Sequence, residues 1–240
     1  MPVARYALVT GGAIRLGRAI CEGLAQHGFD VALHYNNSEG QAREALAAVE
    51  AIGRNAFSIQ SDLTDAAACV RLVDEVRSRF GALDVLVNSA ASFDTTRIGQ
   101  TTSDQWDKIF ALNLRAPFLL SQAAAEQMRA GASIVNIADL AGVQAWPSYL
   151  AHGAAKAALI HLTRSLARAL GPKVRVNAVA PGAVLLPNDF GDASARRLVD
   201  QTPLRRLGAP DDVVSAVRYL IDAEFVTGTL IVVDGGRLAR

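Results

Sequence analysis

Two stretches of this chain carry residues whose types and spacing suit chemistry. One is Pro147-Ser-Tyr-Leu-Ala-His-Gly-Ala-Ala-Lys-Ala-Ala-Leu-Ile160. On a helix beginning at Pro147, positions 149, 152 and 156 share a face. Tyr149, His152 and Lys156 are therefore expected to stack, with Asp139 arriving from the preceding strand end. Imidazole is a competent general acid near neutral pH, and a carboxylic acid can relay a proton. Lys156 runs into Ala157-Ala-Leu-Ile160, which sets an amine in an otherwise buried helix. Burying that charge without a partner costs several kcal/mol, so a cofactor hydroxyl or phosphate is its expected companion.

The other stretch is Thr10-Gly-Gly-Ala-Ile-Arg-Leu-Gly17, between the apolar run Tyr6–Val9 and a helical pattern that starts at Gly17. Glycines let the backbone approach a pyrophosphate, and the helix N-terminus offers free N–H groups to negative charge. The spacing of Gly11, Gly12 and Gly17 is not G-x-G-x-x-G, and no Gly-Lys-Ser/Thr phosphate loop is present. A nicotinamide dinucleotide or a phosphate ester would both suit the turn, and the second strand helps to choose. NAD-selective sites end that strand with an acid that holds the ribose hydroxyls. Here it ends His34-Tyr35-Asn36-Asn37-Ser38, with no acid before Glu39. With Arg15 nearby, a 2′-phosphate is better accommodated than a free hydroxyl, so NADPH/NADP+ is the expected cofactor.

The elements that would position these residues alternate along the whole chain. Apolar strands are expected at Tyr6–Val9, Phe29–Tyr35, Phe57–Gln60, Leu83–Val87, Ser133–Ile137, Val174–Val179 and Leu230–Asp234. Helical patterns fall between them, with a long one from Asp104 to Met128 interrupted near Pro117. Strands apolar throughout suit a parallel sheet covered on both faces. The expected fold is a Rossmann-type doubly wound parallel sheet in three α/β/α layers, one domain over 1–240. Residues 183–203 show no regular pattern and leave a strand end, so they are the substrate-loop candidate. Polar residues stand at four strand ends, Thr10-Gly11-Gly12, Asp62, Asn88-Ser89-Ala90 and Asp139, with Pro181-Gly182 beyond a fifth. Asp62 suits an adenine amino group; Asn88 suits either a ribose or the steadying of a strand end.

Composition narrows the classes. A net charge of +1 gives no reason to expect nucleic acid or an anionic membrane as partner, and no apolar run is long enough to cross a bilayer. The two cysteines, Cys21 and Cys69, form no metal-ligand pattern, and His27, His34, His152 and His161 make no ligand pair, so no metal is expected. A reducing, cytoplasmic setting is expected, with the first strand too near the N-terminus to leave room for a signal peptide.

Taken together, these motifs resemble those of the short-chain dehydrogenases/reductases, over essentially the entire chain. Thr10 to Gly17 is similar to the T-G-x-x-x-R-x-G turn of the pteridine reductase branch, and Asp62-Leu63, Asn88-Ser-Ala-Ala, Asn113, Lys156, Pro181-Gly182 and Asp234-Gly-Gly236 match further family positions. The resemblance implies cofactor contacts at Gly11, Arg15, Leu16, Gly17, His34, Tyr35, Asn36, Asn37, Ser38, Asp62, Leu63, Asn88, Ser89, Ala90, Lys156, Pro181 and Gly182. It implies catalytic roles for Asn113, Asp139, His152 and Lys156, and a homo-oligomer, tetramer before dimer. Arg15, Asp139 and Phe93 correspond to pteridine reductase positions, so a substrate pocket of Arg15, Ser92, Phe93, Asp139 and Tyr149 is expected to take a flat heterocycle, a pterin or dihydrofolate-like ring. The departure is His152, which stands where the family's Y-x-x-x-K has tyrosine. Three activities follow: NADPH-dependent reduction of such a ring, carbonyl/alcohol oxidoreduction of another small substrate, or NADP(H) binding without turnover.

Overall fold

A computed structural model describes residues 4–186 and 190–239. Strands β1 (Arg5–Val9), β2 (Phe29–Tyr35), β3 (Ala56–Gln60), β4 (Leu83–Asn88), β5 (Met128–Ile137), β6 (Val174–Pro181) and β7 (Leu230–Val233) form a single parallel sheet. Their order is β3-β2-β1-β4-β5-β6-β7. Strand order therefore reverses between β1 and β4, where a doubly wound sheet opens its ligand crevice.

Side chains alternate across the strands, and both sets are apolar. Ala7, Val9, Val31, Leu33, Val85 and Val87 face a core shared with α1 (Arg15–Gln26), α2 (Glu39–Ala51) and α8 (Pro210–Asp222). Leu8, Ala32, Leu86, Ile134 and Val176 face a second core under α3 (Ala66–Phe80), α5 (Ala116–Gln127) and α6 (Leu150–Leu170). Two buried faces make the three layers, and the expected fold class is observed.

Three local expectations change. The helical pattern from Asp104 onward is α4 (Ser103–Phe110), one π-helical turn over Ala111–Arg115, and then α5, with Pro117 in the first turn of α5. The break therefore precedes the proline, which only fits a helix start it does not cause. Helix α6 begins at Leu150, not Pro147, so Tyr149 lies outside the helix with φ −135° and ψ 45°. Thr96 sets that boundary: its N–H donates to the Ser148 carbonyl at 2.8 Å and its Oγ1 accepts the Ala151 N–H at 3.0 Å. The segment 183–203 is not irregular throughout, because α7 (Asp192–Gln201) forms within it on the surface, with no buried residue. Residues 187–189 of the expected substrate loop lie outside the described residues.

Candidate active site

The glycine turn after β1 is tied across the switch point. Thr10 Oγ1 accepts the N–H groups of Ser89 and Ala90, each at 3.0 Å. Gly11, at φ +66°, packs so closely that a Cβ there would stand 3.0 Å from the Ala90 Cα. A Cβ on Gly17 would meet the Gly11 carbonyl oxygen at 2.0 Å. Glycine is required at both positions by close approach of backbone to backbone. Helix α1 then starts without a side-chain cap and with no acid in its first turn, which leaves its first N–H groups to an anion. Arg15 holds φ +52°, a left-handed conformation uncommon outside glycine, and its guanidinium donates to the Leu185 carbonyl. The turn and the segment after β6 are thereby joined.

Several residues expected at the cofactor turn out to position the site from beneath it. His34 is buried, with Nδ1 accepting the Gly11 N–H at 3.1 Å and Nε2 donating to the Ser61 carbonyl at 2.9 Å. The backbone N–H can only donate, which fixes this tautomer. Both ring nitrogens are engaged, so His34 shapes the turn and neither nitrogen is free to bond a ligand. Leu63 is core, leaving only its main chain for contact. The Asn88 side chain turns into the sheet, donating to Asn136 Oδ1 at 2.8 Å and to Ser121 Oγ at 3.3 Å. Asn136 in turn donates to Thr163 Oγ1 at 2.9 Å. Of the two roles suited to Asn88, steadying the strand end is the one seen. Asn136, Ser121 and Thr163 were missed by sequence reasoning; a lone asparagine inside the apolar run Ser133–Ile137 was the available signal.

Other expected residues stand at or just beyond strand ends. Asn36 and Asn37 are exposed beyond β2, with Tyr35 and Ser38 partly so, and no carboxylate among them. Asp62 is exposed after β3, where hydrogen bonds from the N–H and hydroxyl of Thr64 hold its carboxyl below the usual range. Gly182 follows β6 and packs against Asp234, its N–H bonded to the Val233 carbonyl at 2.9 Å.

The chemically competent cluster sits at the ends of β4 and β5. Asp139 caps the turn after β5, with Oδ1 accepting the Ala141 N–H at 2.7 Å and Oδ2 standing 3.7 Å from His152 Nε2. His152 is 2% exposed, and its Nε2 has no hydrogen-bond partner. Lys156, one turn along α6, is 3% exposed and donates to the Ile137 carbonyl at 2.7 Å. Burial lowers the ammonium to about 8, with the charge of Asp139 opposing the shift. The π turn directs Asn113 inward, fully buried, where it bonds both His152 and the backbone of Ser92. Ser92 thus contributes its main chain, while its Oγ is buried without a partner.

Tyr149 does not stack with His152 and Lys156 along a helix. It lies on Phe93, ring centroids 4.3 Å apart and planes at 19°, and the Phe93 ring meets His152 edge-on at 4.8 Å. One face of Phe93 is therefore already covered. Trp146 closes the aromatic group with edge contacts to both Phe93 and Tyr149.

A family model described as enoyl-(acyl carrier protein) reductase matches residues 12–237. The chain is 35% identical to a 3-oxoacyl-[acyl-carrier-protein] reductase of Staphylococcus aureus, covering 98% of this chain and 99% of that protein. It is 34% identical to an L-rhamnose 1-dehydrogenase (NAD(P)(+)) of Sphingomonas sp., over 95% and 94% of the two chains. A short-chain dehydrogenase of Burkholderia cenocepacia, solved in complex with NADP, superposes with a TM-score of 0.92 at 36% identity, covering 98% of each chain. These relatives overturn the expected heterocyclic partner: those named by substrate act on an oxoacyl carrier protein and a sugar, and the covered face of Phe93 agrees with that correction.

Proposed function

We propose that this chain, which belongs to the short-chain dehydrogenase/reductase superfamily, is an NADP(H)-dependent oxidoreductase interconverting a carbonyl and an alcohol on a small oxo or hydroxy substrate. The observation that carries this reading is the unpartnered, buried Nε2 of His152, facing Asp139 at 3.7 Å beside the buried Lys156. A buried nitrogen without a partner is costly unless something arrives to bond it, and here the arriving group is a substrate oxygen.

The residues present fit a dinucleotide. The uncapped start of α1 and Arg15 suit its phosphates, and the carboxylate-free end of β2 suits a 2′-phosphate. Lys156 spends one of its three ammonium protons on Ile137, which leaves donors for ribose hydroxyls. The NADP-bound relative supports the same choice. When bound, the dinucleotide supplies or accepts a hydride. Asp139 and His152 hold the substrate oxygen, Lys156 orients the ribose, and the Phe93–Tyr149 stack walls the substrate side of the crevice. A homotetramer belongs to the same reading: strand β7 at the sheet edge keeps Leu230, Ile231, Val232 and Val233 half-exposed, an apolar edge that a second copy would cover.

The test is cofactor turnover in both directions. NADPH oxidation is followed with a short 3-oxoacyl thioester, NADP+ reduction with L-rhamnose, and NADH or NAD+ serve as controls. Turnover preferring the phosphorylated cofactor, and lost in Lys156→Ala and Asp139→Ala, is expected. Tight NADPH binding with turnover in neither direction would instead make this an NADP(H)-binding protein without catalysis.

A further inference from the structure

The first turn of α6 carries His152 but has no cap of its own. Tyr149, at the N-cap position, makes no side-chain hydrogen bond to the helix, and the turn holds no acid. A helix start leaves its first N–H groups without partners along the helix. Two of them go to one residue in another segment: the Leu150 N–H donates to the Thr96 carbonyl at 3.2 Å, and the Ala151 N–H to Thr96 Oγ1 at 3.0 Å. The second bond is the one a threonine makes as N-cap, here supplied from 55 residues away in sequence. Thr96 is 1% exposed and Ala151 is fully buried, so water has no access to replace the hydroxyl.

The segment 92–96 grips the same turn along its length. At its near end Asn113, in the π turn, exchanges two bonds of 2.9 Å with the main chain of Ser92. The Ser92 carbonyl, at 3.0 Å, and the Asn113 amide, at 3.2 Å, both stand against His152 Nδ1. Phe93 follows, stacked on Tyr149 and edge-on to His152. Thr96 closes the far end, its own N–H bonded to the Ser148 carbonyl at 2.8 Å. Lys156 is held elsewhere, one turn further along α6, through the Ile137 carbonyl at the end of β5. The two working side chains of α6 therefore rest on separate supports.

We propose that Thr96 is a positioning residue for His152: as a cap supplied from outside the helix, its hydroxyl holds the first turn of α6 so that Nε2 meets the substrate oxygen beside Asp139. This rests on the carbonyl/alcohol reading above. Removing the Oγ1 acceptor strands a buried N–H on the residue next to His152, and the turn moves to relieve it. A displacement of about 1 Å at a group that touches the substrate can cost on the order of a hundredfold in rate. The ribose contact of Lys156 stays in place, because its bond to Ile137 does not pass through the cap. Catalytic rate depends on Thr96, and cofactor affinity does not.

Thr96→Val keeps the side chain's shape and loses the acceptor, whereas Thr96→Ser keeps the acceptor. With whichever of the 3-oxoacyl thioester and L-rhamnose is turned over, Thr96→Val is expected to lower kcat by about tenfold or more. Its NADPH Kd should stay within about twofold of wild type, and Thr96→Ser should keep kcat within about threefold. Two NMR readings need no turnover. The wild-type Ala151 N–H should exchange with solvent as slowly as those in the middle of α6, and by about tenfold or more faster in Thr96→Val, with the Leu159 N–H unmoved. The His152 ring signals should shift in Thr96→Val and hold in Thr96→Ser. A Thr96→Val with wild-type kcat, a Thr96→Ser as slow as Thr96→Val, NADPH binding that weakens in step with kcat, or a wild-type Ala151 N–H that exchanges like a frayed end would each overturn the proposal. Should no carbonyl or alcohol be turned over, the proposed activity fails, and the Ala151 exchange and His152 signals still decide whether Thr96 positions the imidazole.

Discussion

The Nδ1 atom of His34, near the end of β2, accepts the N–H of Gly11 at 3.1 Å, so a buried imidazole holds the first glycine of the cofactor turn. Its other nitrogen reaches the Ser61 carbonyl after β3, which links three strand ends through one ring. Only the neutral ring can make both bonds, and burial lowers its pKa accordingly. The unfolded chain therefore takes up the proton first. Stability from this group is complete above the ordinary imidazole value of about 6.5 and declines as pH falls below it. Thermal unfolding from pH 8 to pH 5 is expected to show this fall in the wild type. His34→Leu should be less stable at pH 8 and lack that part of the slope; an identical slope in both would assign the fall to other groups.

Lys156 gives opposite signs for stability and binding. Its folded value of about 8 lies below the ordinary 10.5. Between those values the unfolded chain holds more protons, so this group alone raises the stability of the free protein as pH climbs from about 8 to 10.5. NADPH affinity moves the other way, because a neutral amine holds the ribose less strongly than the ammonium. Binding titrations over pH 7 to 10 are expected to weaken above about 8 in the wild type. Lys156→Met should bind weakly and without that pH dependence.

Arg15 separates backbone from side chain. Its left-handed φ of +52° is strained for any residue but glycine, while its guanidinium reaches Leu185. Arg15→Ala and Arg15→Gly both remove the guanidinium, and both are expected to lose preference for NADPH over NADH. Only glycine relieves the backbone, so Arg15→Gly should be more stable than Arg15→Ala by roughly 1 kcal/mol in denaturant unfolding. Equal stabilities would show that the turn relaxes when the side chain goes.

Tyr149 is tested by what its ring does. It is stacked on Phe93 outside α6, and the proposed function makes it a wall of the crevice and not the proton donor. Tyr149→Phe keeps the stack and should hold kcat within about twofold, whereas Tyr149→Ala should raise KM as Phe93 loses its support. A collapse of kcat in Tyr149→Phe would move the proton to the phenol.

The layer architecture was legible because it depends on local pattern. Strands apolar on both faces have one economical solution, a sheet covered by helices on each side, and the glycine turn after β1 marks its switch point. Lys156, Asp139, His152 and the carboxylate-free end of β2 were legible for a related reason, since each is a polar group, or the lack of one, where packing gives no cause for it. The relationships that decide the chemistry were not. Whether Asn88 faces a ribose or Asn136, whether His34 meets a ligand or Gly11, and whether Tyr149 sits on α6 or on Phe93 are questions of direction. Directions are set by partners far away in sequence: Thr96 fixes where α6 begins, and the main chain of Ser92 orients Asn113. Sequence therefore determined which groups this protein brings to its crevice. Only the tertiary structure decided how His152 is held, with Nδ1 beside Asn113 and the Ser92 carbonyl and Nε2 turned toward Asp139, because those partners belong to other segments of the chain.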